Sequence, residues 1–219
     1  MPAALSTPTP TSSAGEATFS HAAPPRLILA STSRYRREML ERLRLPFVAQ
    51  PPHVDETAEP GEAPAALALR LSRAKAQAVA TLHPGAVVIG SDQVATVDGL
   101  ALGKPGDHAR AVAQLRQLSG RTVLFHSALA VTDGQRMLAR DVVTACRFRL
   151  LDDAAIEAYL RAERPYDTAG SAKAEGLGIA LMESMQSDDP TAIIGLPLIA
   201  LSAMLAEFGL DPLRHQDPA

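Results

Sequence analysis

The stretch Ala86-Val87-Val88-Ile89-Gly90-Ser91-Asp92-Gln93-Val94-Ala95-Thr96-Val97-Asp98-Gly99-Leu100-Ala101-Leu102-Gly103-Lys104 decides how this chain folds. Its first four residues are apolar and rich in β-branched side chains, which predicts a buried strand. That strand ends at Gly90, Ser91 and Asp92, so Asp92 is expected at its carboxyl end. The chain then runs Val94 to Val97, turns at Asp98-Gly99, a pair suited to a type I′ turn, and returns through Leu100 to Lys104. Such a hairpin brings Asp92 and Lys104 to one end of a sheet. Two-residue register sets Gln93 across from Lys104, so Asp92 shares a face with Lys104 only if a bulge intervenes, for which Gly103 is the candidate.

Working outward, Pro64 opens a helix in which Leu67, Leu71, Ala74 and Ala78 recur at helical spacing, with Lys75 at the edge of the stripe. Further upstream, Leu27-Ile28-Leu29-Ala30 reads as a strand. It is followed by the polar turn Ser31-Thr32-Ser33 and a helix with Tyr35, Met39 and Leu43 on one face. Downstream, residues 107–118 read as a helix closed near Gly120. Residues 122–131 and 142–150 read as strands around an Asp133-Gly134 turn, and Asp152 or Asp153 caps a helix through Leu160. A Gly-rich loop over 170–178 precedes 179–182. A last helix starts at Pro197 and carries Leu198, Leu201, Leu205 and Phe208 before Gly209. Helices and strands mix without a strict βαβ repeat, which predicts an α/β fold with a mixed sheet.

With 219 residues, 47% hydrophobic side chains and a net charge of −3, the chain can bury a sizeable core as one domain or two joined lobes. Residues 1–25 are almost all Ala, Pro, Ser, Thr and Gly and read as a disordered extension; 26–212 form the folded domain and 213–219 a tail. No apolar run approaches the ~20 residues that span a bilayer, and no basic stretch followed by an apolar core opens the chain. A cytoplasmic location away from membranes is expected. The one cysteine, Cys146, lies in an alternating stretch and reads as a packed thiol. The absence of a Lys/Arg block argues against a duplex nucleic-acid surface but leaves room for a local anion pocket.

Ser31-Thr32-Ser33-Arg34-Tyr35-Arg36-Arg37 places hydroxyls and a helix start beside three guanidinium groups, a setting that suits a polyphosphate. The same residues also fit an ordinary Ser N-cap with solvated arginines. Asp92 after a buried strand suits a metal ligand or general base, with Asp55 and Glu56 as additional oxygen ligands for a hard cation such as Mg²⁺. It fits a strand-ending turn as well. Lys75 and Lys104 either neutralise phosphate or lie on the surface. Ser72 and Lys75 spell S-x-x-K, but no K-T-G follows, so serine acylation is set aside.

Taken in order, Leu29-Ala30-Ser31-Thr32-Ser33 with Arg36-Arg37, Val54-Asp55-Glu56-Thr57, Lys75-Ala76, Gly90-Ser91-Asp92-Gln93, Gly103-Lys104-Pro105, Ala169-Gly170-Ser171 and Gly195-Leu196-Pro197-Leu198 resemble the Maf family of nucleotide pyrophosphatases. The resemblance covers roughly residues 27–210. Arg34 departs from it, standing where the family usually has Pro, as do Thr168, Ala172 and Ser187-Asp188-Asp189-Pro190. The resemblance implies an elongated mixed sheet flanked by helices, two lobes around a deep cleft as in inosine triphosphatases, and frequent homodimers. It also implies hydrolysis of a nucleoside triphosphate between its α and β phosphates. Onto this chain it carries Asp92 as proton acceptor and metal ligand, and Glu56 as a second carboxylate for Mg²⁺ or Mn²⁺. Ser31, Ser33, Arg36, Lys75 and Lys104 become phosphate contacts.

Tyr35, Gln93 and Glu175 look like the subgroup that acts on 7-methyl-GTP; members acting on dTTP and UTP carry Arg, Thr and Gln at those places. A carboxylate at Glu175 can accept from guanine N1–H and the N2 amino group. Tyr35 can stack on a base made cationic by N7 methylation. Two other readings stay open: a pyrimidine or other non-standard triphosphate as substrate, and a nucleotide-binding regulator of septum formation that does not turn over.

Overall fold

A computed structural model describes residues 25–214. Apart from Pro25, Leu213 and Arg214, the expected extension and tail lie outside the described residues. The element order is β1 (Leu27–Ala30), α1 (Arg34–Glu41), β2 (Phe47–Gln50), α2 (Pro64–Ala80), β3 (Val87–Val97), β4 (Leu100–Leu102), α3 (His108–Leu118), β5 (Thr122–Thr132), β6 (Met137–Phe148), α4 (Asp153–Glu163), β7 (Met182–Gln186) and α5 (Leu198–Glu207). One sheet runs β2-β1-β3-β5-β6-β7, with β4 paired to β3. β1 is parallel to β2 and β3, and the remaining pairs are antiparallel, so the sheet is mixed as expected.

β3 carries the organisation of the molecule. One of its faces presents Val87 and Ile89 to a core built with β1, α1 and α5, and Ala95 and Val97 to a second core built with α3 and α4. β5 repeats the pattern, with Leu129 and Val131 in the first core and Val123 and Phe125 in the second. Between the cores the same face turns polar at Ser91 and Gln93 on β3, Ser127 on β5 and Thr144 on β6. A sheet whose apolar face is interrupted this way buries two cores and leaves a seam between them. The two cores are the two lobes.

The loop before α5 closes one side of that seam. Ser127 Oγ donates to Ala192 O at 2.7 Å, Ser91 Oγ donates to Gly195 O at 3.1 Å, and Thr144 Oγ1 donates to Ser187 Oγ at 3.1 Å. The N-terminus of α5 is capped from the same loop, where Asp189 Oδ2 accepts from Ile199 N and Thr191 Oγ1 from Leu198 N, both at 2.7 Å. These contacts satisfy amides that Pro197, the N-cap residue, has no side-chain oxygen to meet.

Several expectations are corrected. Asp92 does not end a strand: β3 continues to Val97 because β5 pairs with it from Val88 to Thr96, carrying the polar residues inside a ladder. What stops at Gly90 is pairing on the other side, where Ala30↔Gly90 is the last β1 partner, so the sheet opens beside Asp92. β2 has little periodicity over its four residues and was not expected. β6 begins at Met137 rather than 142, because β5 pairs with it along its whole length. Leu43 lies past the end of α1, in the turn that follows. The β3–β4 hairpin keeps the expected register, with Ala95↔Leu102, and pairs without a bulge, ending before Gly103.

Candidate functional site

Lys75 is not at the edge of the α2 stripe but inside it, 5% exposed among Ala68, Leu71, Ser72, Ala76 and Val79. A buried ammonium is tolerated only when it is paired. Its Nζ lies 2.6 Å from Asp92 Oδ1 and 2.6 Å from Glu56 Oε1. Gly90 makes this reach available: a Cβ there would fall 2.1 Å from Ser72 O and 2.5 Å from Ala76 N, so only glycine lets α2 lie this close to β3. Two residues on, Asp92 points from the same face of β3 and meets Lys75, one residue before Ala76 on the helix. The hydrogen bond from Lys75 is to Oδ1, so Oδ2 of Asp92 is the oxygen left for a ligand.

These three residues lie in a cleft of about 650 Å³, lined also by Ser31, Ser33, Arg36 and Lys104. The structure therefore brings every expected phosphate contact to one cavity, with Asp92 and Glu56 of the three expected carboxylates. Ser33 caps α1, its Oγ accepting from Arg36 N at 3.4 Å, and Ser31 Oγ accepts from Ser33 N at 3.1 Å. The amides of Arg34 and Tyr35, two residues that line the cleft, have no intrahelical partner. Arg36 Nε donates to Gly195 O at 3.1 Å, which aims the guanidinium from α1 across the seam. Burial lowers the Arg36 pKa against the opposing pull of Asp92 and Glu56, and a guanidinium stays charged through such a shift. The hydrogen bond from Lys75 holds the Glu56 carboxyl below its usual range, helped by the charges of Lys75, Lys104 and Arg36.

Asp55 does not join the site. It is exposed, and its Oδ1 accepts from Thr57 N at 2.9 Å, an Asx turn that shapes the loop carrying Glu56. Among the described residues no group of three or more His, Cys, Asp or Glu side chains is placed to hold a metal. Asp92 and Glu56 are two oxygen donors in a cleft lined also by Arg36 and Lys104, which fits a hard cation that keeps water and takes its other ligands from substrate phosphates. Cys146 is fully buried in the second core, and burial pushes its thiol up to about 12, as a packed, unreactive thiol requires.

A second recess of about 130 Å³ adjoins the cleft and shares Ser33, Tyr35, Arg36, Gln93 and Lys104 with it. Glu175, Phe125 and Ile193 line this recess but not the cleft. Tyr35, Gln93 and Glu175, far apart in the chain, thus meet around one small cavity. Tyr35 is half-buried there rather than packed with Met39 in the core. Gln93 is fixed by its amide nitrogen, which donates to Ser127 Oγ at 2.8 Å and to the carbonyls of Ala192 and Ile193 at 3.1 Å. That arrangement leaves Oε1 as an acceptor for a ligand. The loop bearing Glu175 is tight: a Cβ on Gly178 would fall 2.4 Å from Lys173 O, and Leu177 N donates to Glu163 Oε1 at 2.7 Å.

Sequence reasoning missed Asp167, which lines both cavities, and His53, which lines the cleft in a left-handed conformation at φ 39°. Neither sits in a motif whose spacing implies chemistry. The Pro51-Pro52 pair before His53 is the one local signal of an unusual backbone there.

A mixed-sheet α/β protein with four cationic side chains and three carboxylates around one cleft is built to receive a polyanion. The chain belongs to the Maf-like protein family, whose model matches residues 26–208. It is 79% identical over 190 residues to the 7-methyl-GTP pyrophosphatase of Bordetella avium, covering 87% of this chain and 96% of that one. It is 61% identical over 201 residues to the 7-methyl-GTP pyrophosphatase of Burkholderia pseudomallei, covering 90% and 94%. A protein of the same description from Ralstonia nicotianae is 62% identical over 183 residues, covering 83% and 94%. Among solved structures, a HAM1 protein from Coxiella burnetii aligns with 84% of this chain and 99% of its own at 19% identity and a TM-score of 0.48, too slight a likeness to bear on function.

Proposed function

We propose that this protein hydrolyses 7-methyl-GTP to the monophosphate and diphosphate, clearing a modified nucleotide. The observation that carries the proposal is the meeting of Tyr35, Gln93 and Glu175 in a recess that opens directly onto the Lys75–Asp92–Glu56 cleft. The names of the relatives from Bordetella avium and Burkholderia pseudomallei support the same substrate.

The base enters the recess, stacks on Tyr35 and gives its N1–H and N2 amino donors to Glu175, with Gln93 Oε1 as a further acceptor. The triphosphate then runs into the larger cleft, over Ser31, Ser33 and the α1 amides, between Arg36 and Lys104. Asp92 Oδ2 accepts a proton from the attacking water as its oxygen bonds to the α-phosphorus, and the α,β-bridging oxygen leaves with the diphosphate. Lys75 holds the Asp92 carboxyl correctly turned. Arg36 and Lys104 balance the charge that develops on the phosphate oxygens. A divalent cation, Mg²⁺ or Mn²⁺, held by Asp92 and Glu56, supplies further positive charge to the phosphates when bound.

Among the described residues no helix is long and apolar enough to cross a membrane. Action in the cytoplasm, as a homodimer and without a duplex nucleic-acid partner, completes the proposal. The deciding experiment incubates pure protein with Mg²⁺ or Mn²⁺ and a panel of triphosphates, reading diphosphate release. Fastest turnover is expected for 7-methyl-GTP; faster turnover of dTTP or UTP would overturn the substrate, and retained turnover in Asp92→Asn would overturn the base.

A further inference from the structure

Arg34 and Tyr35 are neighbours at the start of α1, where successive side chains normally diverge. Here they meet. Arg34 Cζ lies 4.7 Å from the centroid of the Tyr35 ring, and Arg34 Nη2 donates to the Tyr35 hydroxyl at 2.8 Å. Both residues line the cleft, but only Tyr35 also lines the recess that holds Gln93 and Glu175. The guanidinium therefore packs against the ring and takes the hydroxyl's acceptor position, while Tyr35 itself borders both the cleft and the recess.

We infer that Arg34 is a positioning residue for substrate selection: it holds the Tyr35 ring in one orientation, so that the recess receives a base against a preset face. The inference rests on the proposal that the base stacks on Tyr35. A partly exposed tyrosine in a first helical turn otherwise samples several rotamers, and a ligand that stacks on it must first restrict them. A planar guanidinium that both stacks and donates removes that freedom before binding, which a point-charge ammonium does less well. Arg34 then raises affinity without touching the nucleotide. The competing role for an arginine here is direct contact with a phosphate.

A double-mutant cycle separates the two. KM and kcat are measured for wild type, Arg34→Ala, Arg34→Lys, Tyr35→Ala and the Arg34→Ala/Tyr35→Ala pair, on whichever triphosphate the wild type turns over fastest. Calorimetric Kd replaces KM where turnover is too slow. Arg34→Ala is expected to raise KM roughly two- to fivefold with kcat unchanged, the size of an exposed cation–π contact with one hydrogen bond. Arg34→Lys should recover only part of this, and Arg34→Ala should have no further effect once Tyr35 is alanine. An equal effect of Arg34→Ala in both backgrounds, full rescue by lysine, or no change in KM each overturns the inference. A wild type that prefers a nucleotide other than 7-methyl-GTP overturns the substrate proposal instead and leaves the cycle valid.

Discussion

Lys75 Nζ stands 2.6 Å from Asp92 Oδ1, joining α2 to β3 by an ion pair whose side chains are 6% and 12% exposed. Glu56 Oε1, at the same distance from Nζ, belongs to a side chain that is 60% exposed, so water screens the second contact far more than the first. The pair with Asp92 is thus the one that holds structure, and the contact with Glu56 is the one a ligand can exchange.

Removing Lys75 leaves Asp92 nearly buried without its partner. Lys75→Met should destabilise the protein by about 3 kcal/mol in urea unfolding at neutral pH. It should also lower kcat at least about 100-fold, because the proposed base loses its partner. Lys75→Met/Asp92→Asn should regain much of the stability and none of the activity. A single mutant as stable as wild type would show that the pair contributes nothing to the fold.

Gly90→Ala tests the approach of α2 to β3. Its Cβ would sit 2.1 Å from Ser72 O, which is backbone and cannot turn aside. The helix must shift, costing about 1–3 kcal/mol as in other overpacked cores, and Lys75 is drawn away from Asp92. Thermal midpoint and kcat should fall together. A drop in the midpoint with normal kcat would mean that the Lys75–Asp92 distance does not govern the reaction.

Glu175→Gln keeps the shape of the recess and replaces an acceptor-only carboxylate by an amide. Paired hydrogen-bond contacts of this kind discriminate bases by about 1–3 kcal/mol. The variant should lose at least about tenfold in kcat/KM for 7-methyl-GTP relative to dTTP. An unchanged ratio would detach Glu175 from base choice.

The acid limb of stability has a definite contributor away from the cleft, where the Glu62 side chain is 9% exposed beside Arg70. Arg70 donates to Glu62 at 2.7 and 2.8 Å and brings the Glu62 carboxyl from 4.5 down to about 2. A depressed carboxyl stabilises the fold fully above its unfolded value, and that stability is lost as pH falls through the folded one. Glu62→Gln should therefore flatten the decline in thermal midpoint between pH 4.5 and about 2, with no change in the acid limb contributed by Glu56. An unaltered slope would remove Glu62 from the list of contributors.

What was legible in the sequence, and what was not, follows from the range of the forces involved. Pro64, Asp107 and Asp152 mark helix starts by local chemistry, and the structure places helices at each. The Asp98-Gly99 turn fixed its hairpin register for the same local reason. Asp92 was misplaced because the end of β1 pairing at Gly90 and the persistence of β5 pairing are facts about neighbours, not about the run of residues itself. Periodicity ranks a lysine as exposed and sets Lys75 at the helix edge, whereas its burial depends on a carboxylate from another element. The recess formed by Tyr35, Gln93 and Glu175 was suggested by family resemblance; spacing alone could not have brought together residues on a helix, a strand and a loop. Asp167 carries neither signal, and His53 only the Pro51-Pro52 pair before it.

The interruption of the sheet's apolar face has a mechanical side. β3, β5 and β6 run unbroken from one core to the other, so the two halves cannot swing about a flexible linker; any narrowing of the gap must come from twisting three continuous strands.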